Sequence, residues 1–385
     1  MRIIYVHPSL TTFGGAERVL VNKANYFAEK YGYEVYIVTA HQLGHPIPFP
    51  LSNKVIHIDL AVNFNKQYRH NFFVRGFIYL KLLHIYKNKL SKILKELKGD
   101  FTLSTISRDI DFLHSINDGS IKIIEAHMPK RFLRSLYKFQ SRNFLYKIAG
   151  RIWTKRLENT AIKFDALVVL TQKDADSWSN IRQCTVIPNP LPFYPEQASN
   201  CTGKKIISVG RISKEKGYDR LVEAWALIAS RYKEWKINVY GDGELKSQIK
   251  ELIKEKGLSD SLILNNPENN VIEKYIESSF YVMCSRFEGF GMVLIEAMAC
   301  GLPVISFNCP EGPVNIISNN DDGFLVEDGD IVQFAEKMSL LMDNEELRIE
   351  MGKRARENVK RYKQDVIMQK WVELFTSLKD KNKTN

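Results

Sequence analysis

Short apolar runs of strand character alternate with amphipathic helical stretches along almost the whole chain, and one proline-rich break divides the series in two. In the first half the runs predict strands at residues 2–6, 33–39, 55–59, 101–105, 121–125, 166–170 and 184–187. In the second half they predict strands at 205–209, 236–240, 262–264, 279–284 and 303–307. Strands separated by helices do not form tight hairpins, so they pair in parallel and are covered by helices on both faces. Ile187-Pro-Asn-Pro-Leu-Pro-Phe-Tyr-Pro195 fits neither element and reads as a linker. A chain of 385 residues is long enough for two cores. The expected class is therefore α/β, with two Rossmann-like, doubly wound domains at 1–190 and 204–362 and a linker at 191–203. A last helix, about Gln364 to Leu378, leads into a Lys-rich tail expected to fray.

The stretch Glu288-Gly-Phe-Gly-Met-Val-Leu-Ile-Glu296-Ala-Met-Ala-Cys-Gly-Leu-Pro303 carries the most specific chemistry. The apolar run before it reads as a buried strand, Glu288 to Gly291 as a turn, and Met292 to Cys300 as a helix ended by Gly301-Leu-Pro303. Glu288 then falls in the strand-to-helix turn and Glu296 about one turn inside the helix. A carboxylate accepts two hydrogen bonds at once and can grip neighbouring hydroxyls of a sugar ring. The backbone N–H groups near Phe290 and Gly291, at the helix start, attract phosphate oxygens.

Two further segments have the same strand-loop-helix form, and a third offers a histidine after a strand. Lys205-Ile-Ile-Ser-Val-Gly210 leads into a loop with Arg211 and Lys216, two cations placed to neutralise a diphosphate, and then a helix from Tyr218 to Tyr232. Ile3-Ile-Tyr-Val-His7 leads through Gly14-Gly15-Ala-Glu17 into a helix ending near Lys30; paired glycines let backbone approach a ligand at a helix start. This pair is neither the three-glycine dinucleotide fingerprint nor a P-loop. His127 follows the strand Ile121-Lys-Ile-Ile-Glu125; a lone histidine in such a place is more often structural than a ligand.

These four segments together resemble the retaining glycosyltransferases of the family-4 type, which have the GT-B fold and include bacterial capsule, lipopolysaccharide and lipid-linked oligosaccharide transferases. The resemblance covers most of the chain, tightly from about Lys205 to Asp330. It implies two facing domains with an interdomain cleft, and residues 363–385 as a helix crossing back to the first domain plus a tail. By position it implies that Glu288 contacts hydroxyls of the transferred sugar and Glu296 the donor ribose. Arg211 and Lys216 would hold the diphosphate, and Gly14 and Gly15 would face the donor phosphates. His127 would stand near the reacting sugar, although Glu125-Ala-His127 is one residue wider than the usual Glu-His pair. Cys309-Pro-Glu-Gly-Pro313-Val-Asn315-Ile-Ile resembles a Gly-Pro-x-Glu-Ile-Ile segment of the same family, with Asn315 in place of Glu.

Composition fits a globular protein, with 44% hydrophobic and 26% charged residues. The five cysteines form no CxxC pair, which points to a reducing compartment without structural zinc. No stretch reaches the apolar length of a membrane span, and the N-terminus runs directly into a strand, so a cytoplasmic location is expected. Asp109-Ile-Asp111, Asp174-Ala-Asp176 and Asp328-Gly-Asp330 read as chance pairs. No metal and no cofactor is expected, because the cationic loop can take the metal's part.

Charge is divided unevenly. Residues 1–200 hold 28 Lys and Arg against 15 Asp and Glu, while residues 201–385 hold 27 against 29, so the first half carries the whole excess. Two segments there contain no acid at all: Phe64 to Lys95, and Met128 to Arg156 with Lys130, Arg134, Lys138, Arg142, Lys147, Arg151 and Lys155 among aromatic and aliphatic residues. Basic amphipathic segments attract anionic lipid, at about 1 kcal/mol per cation near the surface. Peripheral docking to the cytoplasmic face of an anionic membrane is the expected partner interaction. Nucleic acid is not expected, since neither zinc-finger spacing nor an RNP-like run is present.

The expected activity is transfer of a hexose or N-acetylhexosamine from a nucleotide sugar, a UDP-sugar by resemblance, to a saccharide or polyprenyl-diphosphate-linked saccharide acceptor. A nucleotide-sugar 2-epimerase shares the two-domain fold, and a non-catalytic sugar-binding relative would keep the cleft without the chemistry.

Overall fold

The computed structural model of the chain describes residues 1–12, 14–69, 71–135, 144–178, 181, 183–268 and 270–384. Lys138 and Arg142 of the second basic segment lie outside the described residues. The chain forms two compact units, Met1–Pro188 with Met368–Asn385, and Asn189–Ile367.

Among the described residues unit 1 holds seven strands: β1 (Arg2–His7), β2 (Glu34–Thr39), β3 (Val55–Asp59), β4 (Phe101–Ser104), β5 (Ile121–Ala126), β6 (Ala166–Val169) and β7 (Cys184–Val186). They form one sheet in the order β3-β2-β1-β4-β5-β6-β7, and every pairing is parallel. The order reverses between β1 and β4, the signature of a doubly wound sheet. Helices α1 (Gly15–Lys30), α2 (Phe72–Leu97), α3 (Ile110–Leu113), α4 (Phe144–Ala161) and α5 (Gln172–Ser177) connect the strands. Alternate residues of β1 face opposite layers, as a pleated strand requires. Ile4 and Val6 pack with Tyr86 and Leu90 of α2, Leu113 of α3 and Leu157 of α4. On the other layer Phe27 of α1 and Phe101 of β4 meet Phe375, at 5.6 and 4.4 Å between ring centroids.

Unit 2 repeats the plan, among the described residues, with six strands: β8 (Lys205–Val209), β9 (Lys236–Tyr240), β10 (Leu262–Asn265), β11 (Phe280–Met283), β12 (Val304–Phe307) and β13 (Gly323–Val326). Their order is β10-β9-β8-β11-β12-β13, all parallel, with the reversal between β8 and β11. The helices are α6 (Tyr218–Ile228), α7 (Lys246–Glu255), α8 (Val271–Ile276), α9 (Met292–Ala299), α10 (Ile331–Asp343) and α11 (Glu345–Asn358). Leu221, Ala224, Trp225 and Ile228 give α6 the apolar stripe that packs on the sheet.

Four expectations need correction. Strand β13 has no counterpart in the strand series read from the sequence. Helix α6 stops at Ile228 rather than Tyr232, because residues 229–232 close as turns on the helix end. Residues 191–203 belong to unit 2 rather than standing apart as a linker: the Leu191 N–H donates to the Tyr362 carbonyl at 2.7 Å, and the Ser199 N–H to the Cys300 carbonyl at 2.8 Å. The last helix, α12 (Gln364–Thr384), takes in the tail that was expected to fray, and Lys379 of that tail pairs with Asp100 at 2.6 Å. No helix among the described residues is long and apolar enough to cross a membrane.

Candidate functional site

Where strand order reverses, the loops leaving two neighbouring strands diverge and open a crevice at the strands' carboxyl ends. In unit 2 these are the loop after β8, with Arg211 and Lys216, and the loop after β11, with Glu288. Lys216 Nζ lies 2.6 Å from Glu288 Oε1, and the Ser285 hydroxyl donates to the same oxygen at 2.6 Å. The Glu288 side chain keeps 10% of its surface exposed and that of Lys216 25%, so the pair borders solvent. Ser208, Tyr218, Tyr281 and Val293 line a narrow crevice beside Lys216 and Ser285.

Backbone conformation lets the loops come this close. Gly217 has φ +66°, and a Cβ there would stand 2.2 Å from the Cys284 carbonyl oxygen. Arg286 then ties the loops together. Its guanidinium donates to both carboxylate oxygens of Asp219, at 2.8 and 2.5 Å, and to the Lys214 carbonyl at 3.0 Å. Its own N–H donates to the Glu215 carbonyl at 2.7 Å. The guanidinium holds the Asp219 carboxyl below its ordinary range, against the opposing effect of burial. A third loop, after β12, closes on Glu288 from the other side. A Cβ at Gly312 would sit 2.7 Å from the Phe290 carbonyl oxygen and 2.8 Å from Glu288 Cβ. In that loop Glu311 is left-handed, with φ +84°, and Asn315 donates its side-chain amide to the Glu311 carbonyl. A carboxylate at position 315 has no such donor, which is a structural reason for Asn here.

The remaining unit 2 candidates occupy different settings. Arg211 is exposed and forms no ion pair among the described residues. The Ser213 hydroxyl first, then the charges of Arg211 and Lys216, hold the Glu215 carboxyl below its ordinary range. Gly291, at φ +98°, starts α9 without a side-chain cap. Phe290 is buried and meets Tyr362 edge-on at 5.4 Å, so what it can offer a ligand is backbone. Glu296 is also buried, and the Tyr275 hydroxyl donates to it at 3.4 Å. The structure thus joins Lys216 to Glu288 through their loops and sets Glu296 buried within α9.

In unit 1 the candidates cluster at the carboxyl ends of β1 and β5. Gly14 caps α1, and a Cβ there would meet Glu17 Oε2 at 2.0 Å, while Gly15 has open space. The His127 side chain keeps 8% of its surface exposed and sets Nε2 3.4 Å from Glu125 Oε1, and the same Glu125 oxygen takes the ammonium of Lys23 from α1. Lys23 also stands 4.1 Å from the Trp371 ring centroid. Burial pushes the Glu125 carboxyl up, but Lys23, through its charge and its hydrogen bond, leads the neighbours that more than offset it. Burial, with Lys23 adding to it and Glu125 opposing, holds the His127 imidazole below its ordinary range, so it is neutral. His7, bonded through Nδ1 to the Thr105 hydroxyl at 2.7 Å, is pushed down to about 3, by burial first and then by His127. Sequence reasoning missed Ser285, Arg286, Asp219, Lys23 and His7. Only Lys23 left a signal, a cation on the apolar face of α1.

Residues 194–358 match the family of glycosyl transferases group 1. An uncharacterized glycosyltransferase of Haemophilus influenzae is 29% identical over 364 residues, covering 93% of this chain and 95% of that protein. A Campylobacter jejuni alpha-1,4-N-acetyl-D-galactosaminyltransferase, named for a diNAcBac-PP-undecaprenol-linked substrate, is 26% identical over 397 residues and 99% of both chains. A crystal structure of a Staphylococcus aureus TarM mutant in complex with fondaparinux, alpha-GlcNAc-glycerol and UDP superposes with a TM-score of 0.77 at 17% identity, covering 97% of this chain and all of that one, a likeness of fold. Residues 194–358 thus carry a glycosyl transferases group 1 match, and the fold of the chain is that of the GT-B glycosyltransferases.

Proposed function

We propose that this protein is a retaining, metal-independent transferase that moves a hexose or N-acetylhexosamine from a UDP-sugar to a lipid-linked or other saccharide acceptor in cell-surface glycan biosynthesis. The observation that carries the reading is the Lys216–Glu288 pair at the switch point of unit 2. A carboxylate held by Lys216 and Ser285 keeps one oxygen engaged and presents the other to sugar hydroxyls. Retaining transfer builds negative charge on the leaving diphosphate. Arg211, Lys216 and the uncapped start of α9 are the groups that would stabilise it, so no metal is required. Glu296 would hold the ribose once a hydroxyl displaced Tyr275. Neutral His127 can accept a hydrogen bond from a sugar hydroxyl, with Gly14 and Gly15 admitting backbone to the phosphates.

Relatives named for undecaprenol-linked substrates support a lipid-linked acceptor, and a fold neighbour solved with UDP supports that nucleotide. The acid-free basic segments of unit 1 support peripheral docking to an anionic membrane on the cytoplasmic side. Incubation of the purified protein with a panel of UDP-sugars and lipid-linked acceptors, with and without chelator, tests the reading by mass analysis. Extended acceptor with α linkage and chelator resistance is the expected result. Absence of transfer from every nucleotide sugar, or activity restored only by manganese, would refute it.

A further inference from the structure

The two acid-free segments share one layer of unit 1. Tyr86, Leu90 and Leu94 of α2, Ile110 and Leu113 of α3, and Leu157 and Ala161 of α4 pack into one core against the sheet. The outer surface of this layer exposes Phe77 and Leu80 on α2 and Ile152 and Trp153 on α4, with Lys81, Arg151 and Lys155 among them. Between α3 and the C-terminal half of α4 lies an open groove of about 470 Å³, lined by His114, Lys155, Arg156 and Lys163 with Asp111 and Ile152. None of Lys155, Arg156 and Lys163 forms an ion pair among the described residues. Three cations therefore face one carboxylate across a cleft that retains solvent.

The field of this cluster acts on its own histidine. Burial first, and then Lys163 and Lys87, hold the His114 imidazole below its ordinary range, while its bond to the Ile110 carbonyl and the charge of Asp111 oppose them. Arg156 is set 5.7 Å from the Trp153 ring centroid, which restrains a guanidinium suited to phosphate oxygens. Lys163 precedes the amino end of β6, whereas His127 follows the carboxyl end of β5, so the groove is separate from the unit 1 site residues.

We propose that this groove binds a phosphate-bearing anion, either the headgroup of an anionic lipid or free phosphate. The lipid source rests on the membrane-docking reading above, and the exposed Ile152 and Trp153 beside the groove favour it, since apolar and indole side chains seat at the headgroup level. The groove would then fix how unit 1 lies on the bilayer, beyond general attraction of charge.

The test compares the wild-type chain with Lys155→Glu/Lys163→Glu and with Lys233→Glu/Lys250→Glu, a control that changes net charge equally at exposed sites in unit 2. An unchanged melting temperature certifies each fold, and Lys155→Gln/Lys163→Gln replaces the first variant if it does not fold. One arm follows the His114 resonance by NMR on titration with inorganic phosphate. The other measures co-sedimentation with phosphatidylglycerol vesicles against phosphatidylcholine vesicles at low ionic strength. We expect binding by the wild type and the control, weakened about tenfold or more in the groove variant. Loss confined to the vesicle arm assigns the lipid, and loss confined to the phosphate arm assigns the free ion. If vesicle binding survives in the groove variant and phosphate does not bind, the groove proposal falls and membrane docking stands. Wild type that binds neither ligand, or a control that weakens as much as the groove variant, also overturns it.

Discussion

Lys216 Nζ stands 2.6 Å from Glu288 Oε1 although the two residues lie on loops after different strands, β8 and β11. Each loop leaves the point where strand order reverses, so the sheet brings cation and carboxylate together. Replacing Glu288 by Gln keeps the shape and removes the charge-assisted bond to Lys216. Loss of one such contact to bound sugar is worth about 1.5–3 kcal/mol, or roughly ten- to 150-fold. Donor affinity by calorimetry should fall in that range while the melting temperature stays within a few degrees. Full affinity for every UDP-sugar that the wild type binds would remove Glu288 from the site.

Gly312 supports the same carboxylate from behind. An alanine there would press on the Phe290 carbonyl and on Glu288 Cβ, neither of which is the free end of a flexible chain. Gly312→Ala should weaken donor binding about tenfold by shifting Glu288, with a smaller loss of stability. Gly15→Ala meets nothing within 4 Å and should leave stability unchanged. Donor titrations and urea unfolding of the two variants check the contrast.

Arg286 gives a different signature. Its ion pair with Asp219 is part-exposed, so the Coulomb contribution to stability is below about 1 kcal/mol. Arg286→Ala also frees the Lys214 carbonyl and loosens the cationic loop. KM for donor should rise more than kcat falls, and the melting temperature should move little. An unchanged KM would show that the clamp does not position Lys216.

How much of this was readable beforehand follows from sequence distance. The Glu288 turn, the Arg211 to Lys216 loop and Gly291 are local patterns of glycine, charge and apolar periodicity, and the strand series follows from the same periodicity. Arg286 and Asp219 act through a contact between the loop after β11 and the start of α6, which no local pattern marks, while Ser285 bonds Glu288 within its own loop. Strand β13 spans only four residues, Gly323 to Val326, and owes its place to pairing with β12. The tail through Thr384 holds its helix in part through Lys379 and Asp100, a contact 279 residues long that composition cannot show.

His7 makes unit 1 acid-sensitive. Its imidazole titrates at about 3 when folded and near 6.5 when unfolded, so between those values the unfolded chain binds the extra proton. Stability therefore falls as pH drops below 6.5, by up to about 1.4 kcal/mol per pH unit from this residue until pH approaches 3. Urea unfolding of His7→Gln at pH 7.5 and pH 5 should show a shallower loss than the wild type. Equal slopes would mean that His7 takes up its proton alike in the folded and unfolded states.

Lys23 and Glu125 form a buried pair on which His127 also depends. Removing one partner of such a pair strands the other charge, at a cost of about 3–5 kcal/mol, whereas removing both is often nearly neutral. Lys23→Met should therefore destabilise strongly, and Lys23→Met/Glu125→Gln should recover most of the loss. In the single variant Glu125 keeps its charge with His127 as the nearest cationic partner, so the imidazole pKa should rise. A raised folded-state pKa adds stability below it, which makes the single variant's deficit smaller at pH 6 than at pH 8. The double-mutant cycle and the His127 titration by NMR read the two effects separately. A small deficit in Lys23→Met with no shift of His127 would mean that Glu125 is already protonated, and that the pair does not hold His127 in its neutral form.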